Sequence, residues 1–200
     1  MRTDQAQPDA PTVDPSRREL LLEVAADLFL RHPYDSVTVQ MICAKAGISG
    51  PGLYRHFQNK QALLIAVVET SLESLHQFAR ATAEAEPDPR AALNAMVDFH
   101  IRTVLVGPPT PLIFLKNEHA FPESDRRRIR REMNLYAEEW ISTVSQLRPE
   151  LSEPEVRLLT HAVFSMLNAV ATLNKGLDHD SIIKTMSTAA IQALTSPRAE

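Results

Sequence analysis

Between Thr38 and Lys60 two short helical segments meet at Gly47, in a stretch that carries Lys45, Arg55 and Lys60 and no Asp or Glu. Thr38 is a residue type that caps helix N-termini. Ile42 and Ala46 then fall on one inner face, and Gly47 supplies the backbone freedom a tight interhelical turn needs. A second short helix is expected from about Ser49 to His56, with Asn59 capping the start of a longer one. The outer face of this pair is basic and free of acid, which suits it to lie against phosphates.

The rest of the chain reads as helix throughout. Ser16 and Glu19 have capping-box spacing, and Leu21, Val24, Ala25, Leu28 and Phe29 follow at helical intervals until Pro33 stops them. After Asn59 a long helix carries Leu63, Leu64, Val67, Val68, Leu72, Leu75 and Phe78, and fades near Pro87. Asp88-Pro89 is a start signal for a helix with Leu93, Met96, Val97, His100 and Val104 on its stripe. The run Gly107-Pro108-Pro109-Thr110-Pro111 breaks it, and a shorter helix is expected over Leu112 to His119. Ile129, Met133, Tyr136, Trp140, Val144 and Leu147 form the stripe of the next. Ser152 and Glu155 repeat the capping-box pattern and open a helix expected to reach Asn174, with Gly176 as its stop. The last is expected from His179 to Thr195. No segment alternates with period two for long enough to predict a sheet.

The 200 residues carry a net charge of −4, so any nucleic-acid surface must be local against an acidic background. A single cysteine, Cys43, rules out an internal disulfide framework and suits a reducing compartment. No apolar run approaches the ~18 residues of a membrane span, and the first residues have no apolar signal region. A cytoplasmic protein is expected. Residues 1–15, with Pro8, Pro11 and Pro15, read as a mobile tail. Residues 16–60 form a small three-helix unit, and 61–200 a larger helical domain.

At about 100° per residue, Leu53 and Phe57 share the inner face of the second short helix. Arg55 and Pro51 then point outward, Tyr54 and Gly52 flank them, and His56 sits at the edge. In a helix-turn-helix the second helix enters the major groove. Arg55 could donate twice to a guanine edge or bind phosphate. Tyr54 offers a hydroxyl and a ring, His56 and Lys60 are placed for phosphates, and Gly50 and Gly52 let the backbone come close. Thr38 adds a hydroxyl and free N–H groups at a helix start. Gln40 and Ser49 complete the candidate DNA-binding set.

On these residues the segment 16–65 resembles the DNA-binding domain of the TetR family of bacterial transcriptional regulators. The matching positions are Phe29, Val37-Thr38-Val39, Ile42, Ala46-Gly47-Ile48-Ser49, Leu53-Tyr54-Arg55-His56-Phe57, Lys60 and Leu63. Gln40 and Gly50-Pro51 depart from the family's frequent basic residues and imply an operator of its own. Cys43 stands where Ala is usual and reads as a small buried thiol, with a redox switch as the alternative.

The resemblance implies an all-α protein with a C-terminal ligand-binding and dimerisation domain. It implies a homodimer on a palindromic double-stranded operator, most simply a repressor released by a small effector. Dimer helices are expected to meet through Ala162, Ser165, Ala169 and Thr172 and through Ser187, Ala189, Ala190 and Ala193. Phe99, Thr103, Phe114, Tyr136, Trp140, Phe164 and Asn168 are the candidate pocket lining. Their apolar character favours a hydrophobic or amphipathic effector. The run Arg126 to Arg131 reads as a solvated face around an inward Ile129, with an anionic effector as the alternative. No metal-ligand spacing, nucleotide loop or nucleophile elbow is present. No catalytic residue or cofactor is expected; an enzyme or a protein-binding module is the competing class.

Overall fold

The structure, a computed structural model, describes residues 15–106, 110–173 and 176–197. The expected tail and the Gly107-Pro108-Pro109 break therefore lie outside the described residues, apart from Pro15. Ten α-helices are found among the described residues, and no strand. They are α1 (Pro15–Arg31), α2 (Val39–Ala46), α3 (Gly50–Tyr54), α4 (Lys60–Ala85) and α5 (Pro89–Val106). There follow α6 (Thr110–Lys116), α7 (Glu123–Leu147), α8 (Glu153–Asn168), α9 (Val170–Leu173) and α10 (His179–Thr195). Short 3-10 turns at Tyr34–Ser36 and Glu118–Ala120 join α1 to α2 and α6 to α7.

The helix starts follow from side chains that satisfy otherwise orphaned N–H groups. Thr38 Oγ1 accepts from the Met41 N–H at 3.2 Å, Asn59 Oδ1 from Ala62 at 2.7 Å and Asp178 Oδ1 from Ser181 at 2.8 Å. The Glu155 carboxylate reaches back to the Ser152 N–H at 2.9 Å, which is the reciprocal half of a capping box. Helix α1 begins one residue before Ser16, at Pro15, because proline lacks the N–H that a first turn leaves unpaired. For the same reason Pro111 sits inside the first turn of α6, which resumes at Thr110 rather than Leu112.

The long helix expected from Ser152 to Asn174 is interrupted at Ala169. One turn earlier Ser165 Oγ donates to the His161 carbonyl at 3.0 Å, a back-bond that bends helices.

One continuous core runs from Leu21 to Leu194. Helix α4 is its axis, packed on α1 at one end and on α5, α6 and α7 along its length. Helix α10 closes the far side against α5 and α8. The three-helix unit is thus not a separate bead. Asn117 Nδ2 donates to the Phe29 carbonyl at 3.1 Å and Lys116 Nζ to that of Leu30 at 2.6 Å, so the end of α6 ties down the last carbonyls of α1. Gln61 Nε2 donates to the Ala120 carbonyl at 2.7 Å and holds the start of α4 to the same region.

Candidate nucleic-acid interface

Gly47 closes α2 with φ 64° and ψ 29°, a left-handed conformation that side-chain-bearing residues rarely adopt. This turn sets α3 across α2. Ser49 caps α3, its Oγ accepting from the Gly52 N–H at 3.3 Å. Leu53 and Phe57 are buried, and Pro51, Tyr54 and Arg55 are exposed, with Tyr54 keeping 55% of its surface. His56 is half-buried at the edge. The two glycines have different roles. A Cβ on Gly50 would meet open space, whereas one on Gly52 would come within 2.7 Å of Ile48 Cγ2. Gly50 leaves the outer surface low, and Gly52 lets α3 pack on the turn.

The charges are rearranged by neighbours from outside the stretch. Lys45 Nζ bonds the Asp27 carboxylate of α1, which also accepts from Arg31 at 2.5 Å. Burial alone would raise the pKa of Asp27, but these two cations outweigh it and hold the carboxyl below its ordinary value. Lys60 Nζ donates to the Tyr34 carbonyl at 2.8 Å and the Val37 carbonyl at 2.7 Å, and lies 4.0 Å from the centre of the Tyr34 ring. Two of its three donors are therefore committed inside the fold. Arg55 has no ion pair among the described residues and is the basic group the stretch leaves open. Thr38 and Gln40 are exposed beside α3's approach, although the Thr38 oxygen already caps α2.

This geometry is a helix-turn-helix whose second helix presents Pro51 and Tyr54, with Arg55 after them, on an open outer face. Residues 21–67 match the sequence model of bacterial regulatory proteins of the tetR family. Residues 86–172 match that of a tetracyclin repressor-like C-terminal domain. The chain belongs to the tetR family of bacterial regulatory proteins.

Its relatives include the HTH-type transcriptional activator FasR of Mycolicibacterium smegmatis, 34% identical over 87 residues, which are 42% of this chain and 40% of that protein. The HTH-type transcriptional repressor KstR2 of Rhodococcus jostii is 35% identical over 81 residues, 40% of each chain. The match thus spans well under two thirds of these relatives' length. A solved structure of AibR in complex with isovaleryl coenzyme A and operator DNA has the same fold. It superposes with a TM-score of 0.70 at 22% identity, over 91% of this chain and 100% of that one.

In this tetR-family member the seven candidate pocket residues do not form one site. Tyr136, Trp140, Phe164 and Asn168 come together around His100, whose place on the α5 stripe by itself predicts only core packing. The His100 and Phe164 rings stack at 5.5 Å, those of Tyr136 and Phe164 at 5.3 Å, and Trp140 meets Phe164 edge-on at 4.8 Å. His100 Nδ1 and the Tyr136 hydroxyl are 2.8 Å apart. Burial lowers the His100 pKa to about 4, a shift the neighbouring Asn168 amide only partly opposes, and burial pushes the Tyr136 phenol far up. Asn168 lies beside the His100 ring without hydrogen-bond geometry, which leaves His100 Nε2 and Asn168 Oδ1 buried with no partner among the described residues, as is Trp140 Nε1.

The other three lie elsewhere. Phe99 stacks on Phe78 at 3.8 Å, Phe114 packs on Phe121 at 5.2 Å, and Thr103 faces a cleft beside α1.

The arginine run is largely neutralised. Arg126 pairs with Glu123, as does Arg127 at 3.3 Å; Arg128 pairs with Glu69 and Asp125, and Arg130 with Glu118, while Ile129 is fully buried. Cys43 is a buried free thiol. Among the described residues no group of three or more His, Cys, Asp or Glu side chains is placed to hold a metal ion, and no helix is long and apolar enough to cross a membrane.

Proposed function

We propose that this tetR-family member is a cytoplasmic, homodimeric repressor that reads a palindromic operator through α3 and is released by a hydrophobic small molecule. It is organised as a reader over 16–60 and a sensor over 61–200, and it has no catalytic role. The observation that carries the reading is the outward face of α3. Pro51, Tyr54 and Arg55 are exposed over a buried Leu53 and Phe57, and Arg55 has no ion-pair partner among the described residues. An uncommitted guanidinium beside a low glycine surface suits a major-groove edge. The exposed Thr38, Gln40 and Ser49 flank it at the helix starts, where they are placed for phosphates.

The dimer is supported by an exposed stripe on α8 and α9. Leu158, Ala162, Ser165 and Leu173 share one outward face at helical spacing, with the half-buried Ala169 between them. Ala190, by contrast, is buried inside its own chain. For the effector, the nest around His100 offers polar atoms with no partner among the described residues, which a largely apolar guest would meet by opening the ring stack.

The test begins with selection of a duplex from a random library, followed by fluorescence anisotropy on that duplex. Arg55→Ala and Tyr54→Ala are each expected to weaken binding by about 1–3 kcal/mol per half-site, with unchanged mass by light scattering. Wild-type affinity in both variants overturns the assigned face.

A further inference from the structure

A cleft of about 630 Å³ lies between the reader and the sensor, at the size of sites that hold small organic ligands. One wall is α1, through Leu22 and Ala26; the others are α4, through Val67 and Ser71, α5, through Thr103, and α6, through Thr110. It is separate from the His100 nest. Two features mark it as more than a surface groove. Thr110 is only 2% exposed, and its hydroxyl has no hydrogen-bond partner among the described residues. A buried hydroxyl left unpaired is costly, and a ligand group that displaces the lining enough to reach it would remove that cost. The charges on the lining are also unbalanced. Glu19 and Glu23, one helical turn apart on α1, have no ion pair among the described residues, whereas Arg102 is neutralised by Asp98 at 2.6 Å.

We propose that this cleft is a second ligand site, that it takes an amphipathic organic cation, and that its occupancy sets the reader's angle. The apolar body would lie on Leu22, Ala26 and Val67, with the cationic end at Glu19 and Glu23. An anionic acyl group is disfavoured, because its charge would face two carboxylates and an arginine already paired. Because α1 forms one wall and α4 to α6 the others, the width of the cleft follows the angle between reader and sensor. A ligand that prefers one width shifts that angle by its differential affinity. The ties from Asn117 and Lys116 to the end of α1 make the motion a pivot rather than a separation.

The regulatory part rests on the DNA-binding reading, and the ligand site does not. The probes are three twelve-carbon amphiphiles below their micelle-forming concentrations: dodecyltrimethylammonium, 1-dodecanol and dodecanoate. Calorimetry on the full chain is expected to show one site per chain that prefers the cation. Ser71→Trp, which fills the cleft from a half-exposed position, should abolish binding. Glu19→Gln with Glu23→Gln should weaken the cation about five- to tenfold and leave dodecanol unaffected. Equal binding of cation and anion, or undiminished binding to Ser71→Trp, overturns the site. Operator affinity is then measured with and without the cation. Binding that leaves operator affinity unchanged overturns the pivot. If no duplex binds even without ligand, the regulator reading falls while the calorimetry still decides the cleft.

Discussion

His100 shows what one buried side chain imposes. Tyr136, Trp140, Phe164 and Asn168 surround it with no charged group, so its ring stays neutral down to about pH 4. The unfolded chain takes up that proton near 6.5, so between the two values it binds more protons than the folded chain. Stability is therefore full above about pH 6.5 and falls as the pH drops toward 4, by on the order of 2–3 kcal/mol from this group. Urea unfolding at a series of pH values should show the loss, and His100→Gln should flatten the curve by that amount. Parallel curves for the two proteins would refute the assignment. Residues whose roles depend on near neighbours were legible in the sequence. The inward Leu53 and Phe57 and outward Arg55 follow from a wheel of seven residues. Lys45 and Lys60 were not, because Asp27 and the Tyr34 carbonyl, 18 and 26 residues away, reach them only through the packing of α1 on α2 and α4. An acid-free stretch in sequence is thus not acid-free in space.

Helix boundaries were legible where a capping side chain marks them, as at Thr38, Asn59 and Ser152. The break at Ala169 was not, since no Gly or Pro marks it in the sequence. Nor was the tie between α6 and α1. Asn117 is fully buried, and its amide donates both to the Phe29 carbonyl and to that of Ile113 in its own helix. Asn117→Ala removes the side-chain donor that reaches the Phe29 carbonyl at the end of α1, and an orphaned carbonyl there should cost about 1–3 kcal/mol. The expected readout is a lower melting temperature together with faster amide hydrogen exchange in the last turn of α1. Exchange that stays at the wild-type rate there would show that the packing of α1 on α4 holds the helix without this tie.

At the scale of the molecule, a core that runs unbroken from Leu21 to Leu194 makes the helix-turn-helix end and the C-terminal helices mechanically continuous within one chain. What one chain does not satisfy is the outer face of α8 and α9. Leu158 keeps 72% of its surface and Leu173 keeps 75%, and the small exposed residues Ala162 and Ser165 between them would let another helix approach closely. Beside them an apolar groove lined by Met166, Val170, Ile182 and Met186 reaches α10. Exposed apolar surface arranged as a continuous stripe marks an association site more often than leucines scattered singly. A second copy laid on this face would carry two α3 helices, and a helix-turn-helix dimer reads half-sites about 34 Å apart. The paired variant Leu158→Glu with Leu173→Glu places four carboxylates against one another in such a dimer while disturbing little inside the monomer. Light scattering should then give a mass near the single-chain 22.3 kDa in place of twice that value. Operator binding should weaken by about 10²–10⁴-fold, because the second half-site is no longer held at high effective concentration. A variant that keeps the dimer mass would move the interface elsewhere, and one that turns monomeric yet binds the full operator unchanged would mean that a single reader suffices.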